Sequence, residues 1–254
     1  MAIAVIVIVA VGATTFVGIS LFNTPSQDDS IKLTLLDNAG VMIEAAGLRI
    51  YIDPINLPDN YSTLSADAIL ITHPHADHYN STQVNMLQKT GTINVFPENM
   101  TDAVSAHNGM GVNPGDTIQV GTITVTAYYM YTEVWVDGER FASHPPEANW
   151  TSYIVDINGF KIFHAGDSKN ITEYEDVSGQ FDVALLPLGP GCQAMAGPEV
   201  VDAIDKLHPA YFIPIHATNF DSEFFIVGYE DDIMECSGCQ CIQLDHFTSY
   251  TFEP

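Results

Sequence analysis

From Ile31 onward the chain is written in short apolar runs separated by turn residues. Residues 32–36, 41–44 and 48–52 are β-rich, and the turns at 38–40 and 46–47 carry Gly, which predicts an antiparallel meander. Residues 68–72 (AILIT) form a continuous apolar run of strand length, as in a strand buried on both faces, and the run stops at His73. Next, Asn80 or Ser81 is placed to cap a helix running to about Lys89, with Gly91 as its C′ residue. Further strands are predicted at 93–96, 122–131, 152–157, 161–164, 183–186 and 211–215. Val200, Val201, Ile204 and Leu207 keep helical spacing between Pro198 and Pro209. Strands and helices therefore alternate, and the pattern is that of an α/β domain beginning near Ile31.

The N-terminus has a different character. Residues 2–22 contain no charged side chain, and a bilayer-crossing helix needs roughly 20 apolar residues. This predicts an N-terminal hydrophobic helix over residues 1–22, acting as transmembrane anchor or signal segment. Residues 23–30 follow as a polar linker and 31–254 as the catalytic domain. Asn-x-Ser/Thr sequons at Asn60, Asn80, Asn99, Asn149 and Asn170 point the same way. The expectation is a membrane-anchored or secreted protein, touching the membrane through its N-terminal segment, with an extracytoplasmic domain. In that setting Cys192, Cys236, Cys239 and Cys241 are expected to form one or two disulfides.

Composition narrows the partners. The 254 residues are 46% hydrophobic, enough for one sizeable core, but 32 Asp and Glu face only 7 Lys and Arg, a formal charge of −25. No basic run exists to neutralise phosphates, so nucleic acid is excluded as a partner. The acidity itself keeps the protein soluble and does not name a substrate; the partner expected with the candidate chemistry below is a small-molecule or lipid-derived substrate.

The candidate chemistry lies in Thr72-His73-Pro74-His75-Ala76-Asp77-His78. Imidazole nitrogen and carboxylate oxygen suit Zn²⁺, and also Mn²⁺ or Fe²⁺. In a tight loop after a strand such side chains can serve two neighbouring ions, His73 and His75 one, Asp77 and His78 the other. This His-x-His-x-Asp-His pattern resembles that of the metallo-β-lactamase superfamily, and the resemblance spans residues 31–254. It implies a four-layer αββα sandwich and a binuclear metallohydrolase. It also implies three further ligands: His144 for the first ion, Asp167 of His164-Ala-Gly-Asp167 bridging both, and His216 of Ile213-Pro-Ile-His216 for the second. Tyr51-Ile-Asp53-Pro54, His164-Ala-Gly-Asp167 and Leu186-Pro-Leu-Gly189 leading to Met195-Ala-Gly-Pro-Glu199 resemble the branch holding L-ascorbate-6-phosphate lactonase and its metal-dependent hydrolase relatives. Where those often carry Gly-His-Ala or Gly-His-Ser, this chain has Asp37-Asn38-Ala39.

Two divalent ions sharing a hydroxide can cleave an ester, lactone, amide or phosphoester without a nucleophilic side chain. Asp77, as ligand and catalytic residue, would orient the hydroxide and pass a proton to the leaving group, a role the resemblance implies. The rival reading is a non-hydrolytic metal protein, a di-iron redox site or sensor of the same fold. His107 and His246 are expected to be surface or structural residues, and His164 and His208 to be structural, with His164 the better candidate for a hydrogen bond to a ligand.

Overall fold

The computed structural model describes residues 29–189 and 194–254 in full, and the backbone of Val5–Val9 and Phe16–Ser20. Those two N-terminal segments are strands (β1 and β2) paired antiparallel, from Val5 opposite Ser20 to Val9 opposite Phe16. The hydrophobic helix expected over residues 1–22 is thus corrected. Apolar length alone does not distinguish a helix from strands; VIVIV is wholly β-branched, and FVGIS carries Phe, Val and Ile, all of which favour extended backbone. No helix among the described residues is long and apolar enough to cross a membrane. With it goes the basis for the transmembrane anchor and for the membrane-anchored or secreted placement. The expected linker at 23–30 falls almost wholly outside the described residues.

The domain proper starts with β3 (Ile31–Leu35), β4 (Val41–Ala45) and β5 (Leu48–Ile52), which form the expected antiparallel meander. β6 (Ala68–Leu70), α1 (Ser81–Leu87), β7 (Ile93–Pro97), α2 (Thr101–Ala106) and β8 (Met110–Val112) follow. β5 to β8 pair in parallel. β9 (Thr117–Val120) and β10 (Ile123–Tyr129) open the second sheet. β11 (Thr132–Val136) and β12 (Glu139–His144) make a separate ribbon. β13 (Thr151–Ile157) and β14 (Phe160–His164) return to the second sheet. β15 (Val183–Pro187), α3 (Gly197–Leu207), β16 (Tyr211–Ile215), α4 (Asn219–Ser237) and β17 (Gln240–Cys241) are its parallel, helix-linked half. Finally β18 (Ser249–Phe252) pairs antiparallel with β3.

The result is two seven-stranded sheets, ordered β18-β3-β4-β5-β6-β7-β8 and β17-β16-β15-β14-β13-β10-β9. Their facing side chains share one core: Leu33, Ile43, Ile50 and Leu70 from the first sheet meet Val125, Val155, Ile162 and Leu185 from the second. The alternation along β10 shows why, since Ile123, Val125 and Ala127 are buried while Thr124 and Thr126 are only half covered. A second core joins the other face of the second sheet, through Phe163 and Phe212, to Val200, Ile204 and Phe225 of α3 and α4. A third joins Tyr51, Ile69 and Phe96 of the first sheet to Val84, Leu87 and Ala103 of α1 and α2. This mixed α/β arrangement is consistent with the metallo-β-lactamase sandwich.

Asn80 caps α1, accepting from the Thr82 and Gln83 amides at 2.9 and 3.3 Å. The helix ends at Leu87, earlier than the sequence suggested. Thr92 Oγ1 accepts from the Lys89 amide (2.9 Å) and donates to the Ala66 carbonyl (2.7 Å), which pulls the chain out of the helix and leaves Gly91 in a turn. The long helix α4 has no counterpart in the sequence reading. It buries Phe225, Ile226 and Ile233 but exposes Phe220, Phe224 and Val227, so no single apolar stripe marks it.

Candidate metal centre

In each sheet the parallel strands end at the same rim, the place where open α/β sheets present their functional loops. The loop after β6 carries residues 73–78, the turn after β14 carries Asp167, and His216 directly follows β16. His144 arrives from a third direction at the end of β12, paired opposite Thr132. Two sets of donor atoms gather there, each within 4.8 Å of one another: His73, His75, His144 and Asp167, and Asp77, His78 and His216. All seven side chains singled out in the sequence therefore meet in one place.

Asp167 lies between the sets. Its Oδ2 is 3.7 Å from His73 Nε2, 3.4 Å from His144 Nε2 and 3.5 Å from His216 Nε2, while its Oδ1 is 3.0 Å from His78 Nε2. His216 Nε2 is also 3.5 Å from Asp77 Oδ2. The turn that delivers Asp167 requires Gly166, whose φ is +57° and whose missing Cβ would lie 2.6 Å from Met130 Sδ. His216 itself adopts φ +57°, unusual for a residue with a Cβ, and its amide donates to the Asn38 carbonyl at 3.0 Å. Asn38 also donates from Nδ2 to the Asp77 carbonyl at 3.0 Å. Asp37-Asn38-Ala39 thus braces the second set by its amide and backbone, without an imidazole.

The residue that the sequence marks only as part of Tyr51-Ile-Asp53-Pro54, with no role, is Asp53, fully buried directly after β5. His78 Nδ1–H donates to its Oδ2 at 2.8 Å and the Thr72 hydroxyl at 2.6 Å, while the Thr72 amide donates to Oδ1 at 2.8 Å. Thr72 Oγ1 in turn accepts from His73 Nδ1–H at 2.9 Å. One carboxylate thereby orients two imidazoles, one directly and one through a hydroxyl, with Nδ1–H turned back toward it and Nε2 turned toward Asp167. The motif that contains it does not reveal this role, which depends on a partner 25 positions away.

The electrostatics follow from this crowding. Burial, aided by repulsion from His78, holds His73 well below the ordinary imidazole range. Burial also lowers His75. His78 is the opposite case: burial opposes its charge, but Asp167 and Asp53 on either side outweigh it and raise the group to about 10. For Asp167, burial is outweighed by His78, His144 and His73, which hold it well below the carboxylate range. Asp77 is lowered chiefly by His216, whose Nε2 stands 3.5 Å from its Oδ2.

Trp150 walls the first set, its ring 5.4, 5.3 and 5.5 Å from those of His73, His75 and His144. His164 is buried; its Nε2–H donates to the Ala39 carbonyl at 2.7 Å and its Nδ1 accepts from the Gly166 amide at 3.1 Å, shaping the turn before Asp167. His107 lies apart, buried against Phe96, with Nε2 3.1 Å from both Tyr79 Oη and Ser81 Oγ. His208 ends α3 in the left-handed conformation, and His246 donates from Nε2 to the Ala217 carbonyl. Cys236, Cys239 and Cys241 are free thiols, against the expected disulfides. Cys239 turns into the core while Cys236 faces solvent from the last turn of α4. Cys192 lies outside the described residues.

Comparison with known proteins agrees with this geometry. The beta-lactamase superfamily domain matches residues 32–216. A UPF0173 metal-dependent hydrolase of Pyrococcus furiosus is 30% identical over 203 residues, covering 73% of this chain and 84% of the relative. Igni18, a metallo hydrolase from the archaeon Ignicoccus hospitalis, superposes with a TM-score of 0.70 at 21% identity, over 88% of this chain and 99% of that one. CmlA, a diiron β-hydroxylase from Streptomyces venezuelae, superposes with a TM-score of 0.64 at 15% identity, over 91% and 55% of the two chains. The two structural likenesses speak for the fold alone. The family domain and the curated relative go further: the chain belongs to the beta-lactamase superfamily, among its UPF0173 metal-dependent hydrolases.

Proposed function

We propose that His73, His75, His144 and Asp167 hold one divalent ion and that Asp77, His78, His216 and the shared Asp167 hold a second. The pair would serve hydrolysis of an ester, lactone, amide or phosphoester bond in a small or lipid-derived substrate. The observation that carries this reading is the approach of His73 Nε2 and His144 Nε2 to 3.3 Å. Two nitrogens each about 2.0–2.1 Å from a shared tetrahedral cation stand roughly 3.3–3.4 Å apart. His216 Nε2, buried and without a hydrogen bond among the described residues, fits the second ion in the same way. The donor set of imidazoles and carboxylates favours zinc and also accepts manganese or iron.

When bound, the ions supply Lewis acidity, polarising the scissile bond and making water nucleophilic at neutral pH. The chain's own residues divide the other tasks. Buried His73 is kept neutral, as a ligand must be. Asp167, almost wholly buried, is suited to binding cations and has no path to substrate. Asp77 differs, because its side chain is 51% exposed and faces a cleft. Held ionised by His216, it can accept a proton from the attacking water and hand it to the leaving atom.

Metal analysis and a chromogenic substrate panel on one sample test the reading. About two ions per chain are expected, with turnover lost on chelation and restored by zinc. A chain that binds no metal when offered it in excess would overturn the assignment. Iron with visible absorbance and no hydrolysis would favour redox chemistry of the kind named for CmlA.

A further inference from the structure

Beside Asp77 and His216 a cleft of about 880 Å³ opens toward α4. Its walls are largely apolar, built from Ile55, Leu188, Ala217, Phe224, Phe225 and Tyr229. Phe225 and Tyr229 stack at 5.0 Å and 26° to form a continuous aromatic face. Phe224 stands at the mouth, 74% exposed, and stacks on Phe220 at 6.3 Å. Such a volume and lining suit an organic ligand of moderate size.

Apart from the imidazoles of His216 and His246 and the phenol of Tyr229, the titratable side chains that line the cleft are carboxylates. Asp37, Asp77 and Asp221 line it, and no Lys or Arg is among the described lining residues. His246 is already engaged, 3.5 Å from Asp37 Oδ1 through Nδ1 and bonded to Ala217 through Nε2. Both helix starts that border the cleft carry their own acid. In α4, Asp221 completes the cap, its amide donating to Thr218 Oγ1 at 3.1 Å and its carboxylate accepting from that hydroxyl at 2.6 Å. In α3, Glu199 sits in the first turn and pairs with Lys169 at 2.8 Å. Beyond the reach of the two proposed ions, a phosphate or carboxylate lying in this cleft would meet Asp37 and Asp221 and none of the Arg, Lys or free helix N-termini on which phosphate sites rely.

We infer that the substrate is an uncharged carbonyl compound, an ester, lactone or amide, whose apolar chain or ring lies against Phe224, Phe225 and Tyr229. This rests on the hydrolase reading above and narrows it, because a phosphoester falls outside the class. The reaction balances as simple hydrolysis. Water oxygen bonds to the carbonyl carbon, the bond from that carbon to oxygen or nitrogen breaks, and a water proton ends on the leaving atom.

The test uses the zinc-loaded full chain with p-nitrophenyl octanoate, p-nitrophenyl acetate and bis(p-nitrophenyl) phosphate. In parallel, binding of 2-decanone, a neutral ketone that cannot be hydrolysed, is measured calorimetrically on the metal-free chain. The octanoyl ester should give the highest kcat/KM. Phe224→Ala removes an exposed side chain and leaves the fold intact. It should raise KM for octanoate about 10–100-fold, leave acetate within about twofold, and weaken ketone binding about tenfold. Val227→Ala, on the same helix but outside the cleft and 80% exposed, should change none of these. Faster turnover of the phosphodiester than of either ester would overturn the inference while leaving the hydrolase reading in place. So would failure of the ketone to bind. Ketone binding that depends on Phe224, with no turnover of any substrate, would support the ligand class and sink the hydrolase reading instead.

Discussion

Asp53→Asn perturbs the centre through a residue that would touch neither ion. Three donors converge on its carboxylate: the Thr72 amide, the Thr72 hydroxyl and His78 Nδ1–H. Asn offers one oxygen, so whichever way the amide turns, its NH₂ faces at least one of these donors. The backbone is not the problem, since Asn tolerates the φ of +46° at this position. Two outcomes compete for His78. Either Nδ1–H stays buried without an acceptor, at about 1–3 kcal/mol, or the proton moves to Nε2, the atom aimed at Asp167. The second outcome also reaches His73 through Thr72. Loss of such a supporting contact typically weakens metal binding about 10–100-fold, or about 1.4–2.8 kcal/mol. Competition with a chromophoric chelator measures this directly, and thermal unfolding of the metal-free chain should show Tm falling by about 2–10 °C. Thr72→Val, which breaks only the relay to His73, should weaken the first ion and spare the second. Wild-type affinity for both ions in Asp53→Asn would refute the idea that this carboxylate sets the tautomers.

Other outcomes follow from the same geometry. Asp167→Ala should lose both ions and all activity, whereas Asp77→Asn should keep the first ion, held by His73, His75 and His144, yet lose turnover; elemental analysis beside kinetics separates the two. His107→Ala should leave metal content and KM unchanged while lowering stability by about 1–3 kcal/mol in denaturant titration, because it strips Tyr79 and Ser81 of a buried partner. Trp150 packs on the imidazoles whereas Trp135 is 64% exposed, so metal removal should change tryptophan emission in the wild type and in Trp135→Phe, but not in Trp150→Phe.

How legible these features are in the sequence depends on the range of the interactions behind them. The strand stopping at His73 is a local pattern, as are the helix between Pro198 and Pro209 and the strand leading into His216. All were read from spacing. His73, His75, Asp77 and His78 stand out because so many donor side chains seldom crowd six positions. Asp53 does not, because its meaning comes from Thr72 and His78 across the rim. α4 escaped notice because its exposed Phe220, Phe224 and Val227 and its buried Phe225 and Ile226 cancel any helical stripe. Residues 2–22 misled for the converse reason: uniform apolarity carries no periodicity, and the β-branched content of VIVIV outweighs its length.

The centre draws on chain segments that are made at very different times. His73 to His78 leave the ribosome early, His144 and Asp167 much later, and His216 later still. The first sheet is not closed until Ser249–Phe252 pairs with the strand that began the domain. A nascent chain can thus present the histidine-rich loop long before the groups that complete either donor set exist. Tight metal capture must wait for the full chain, since domains fold as units. An ion taken up by the proposed sites would accordingly come from the metal pool in which folding finishes.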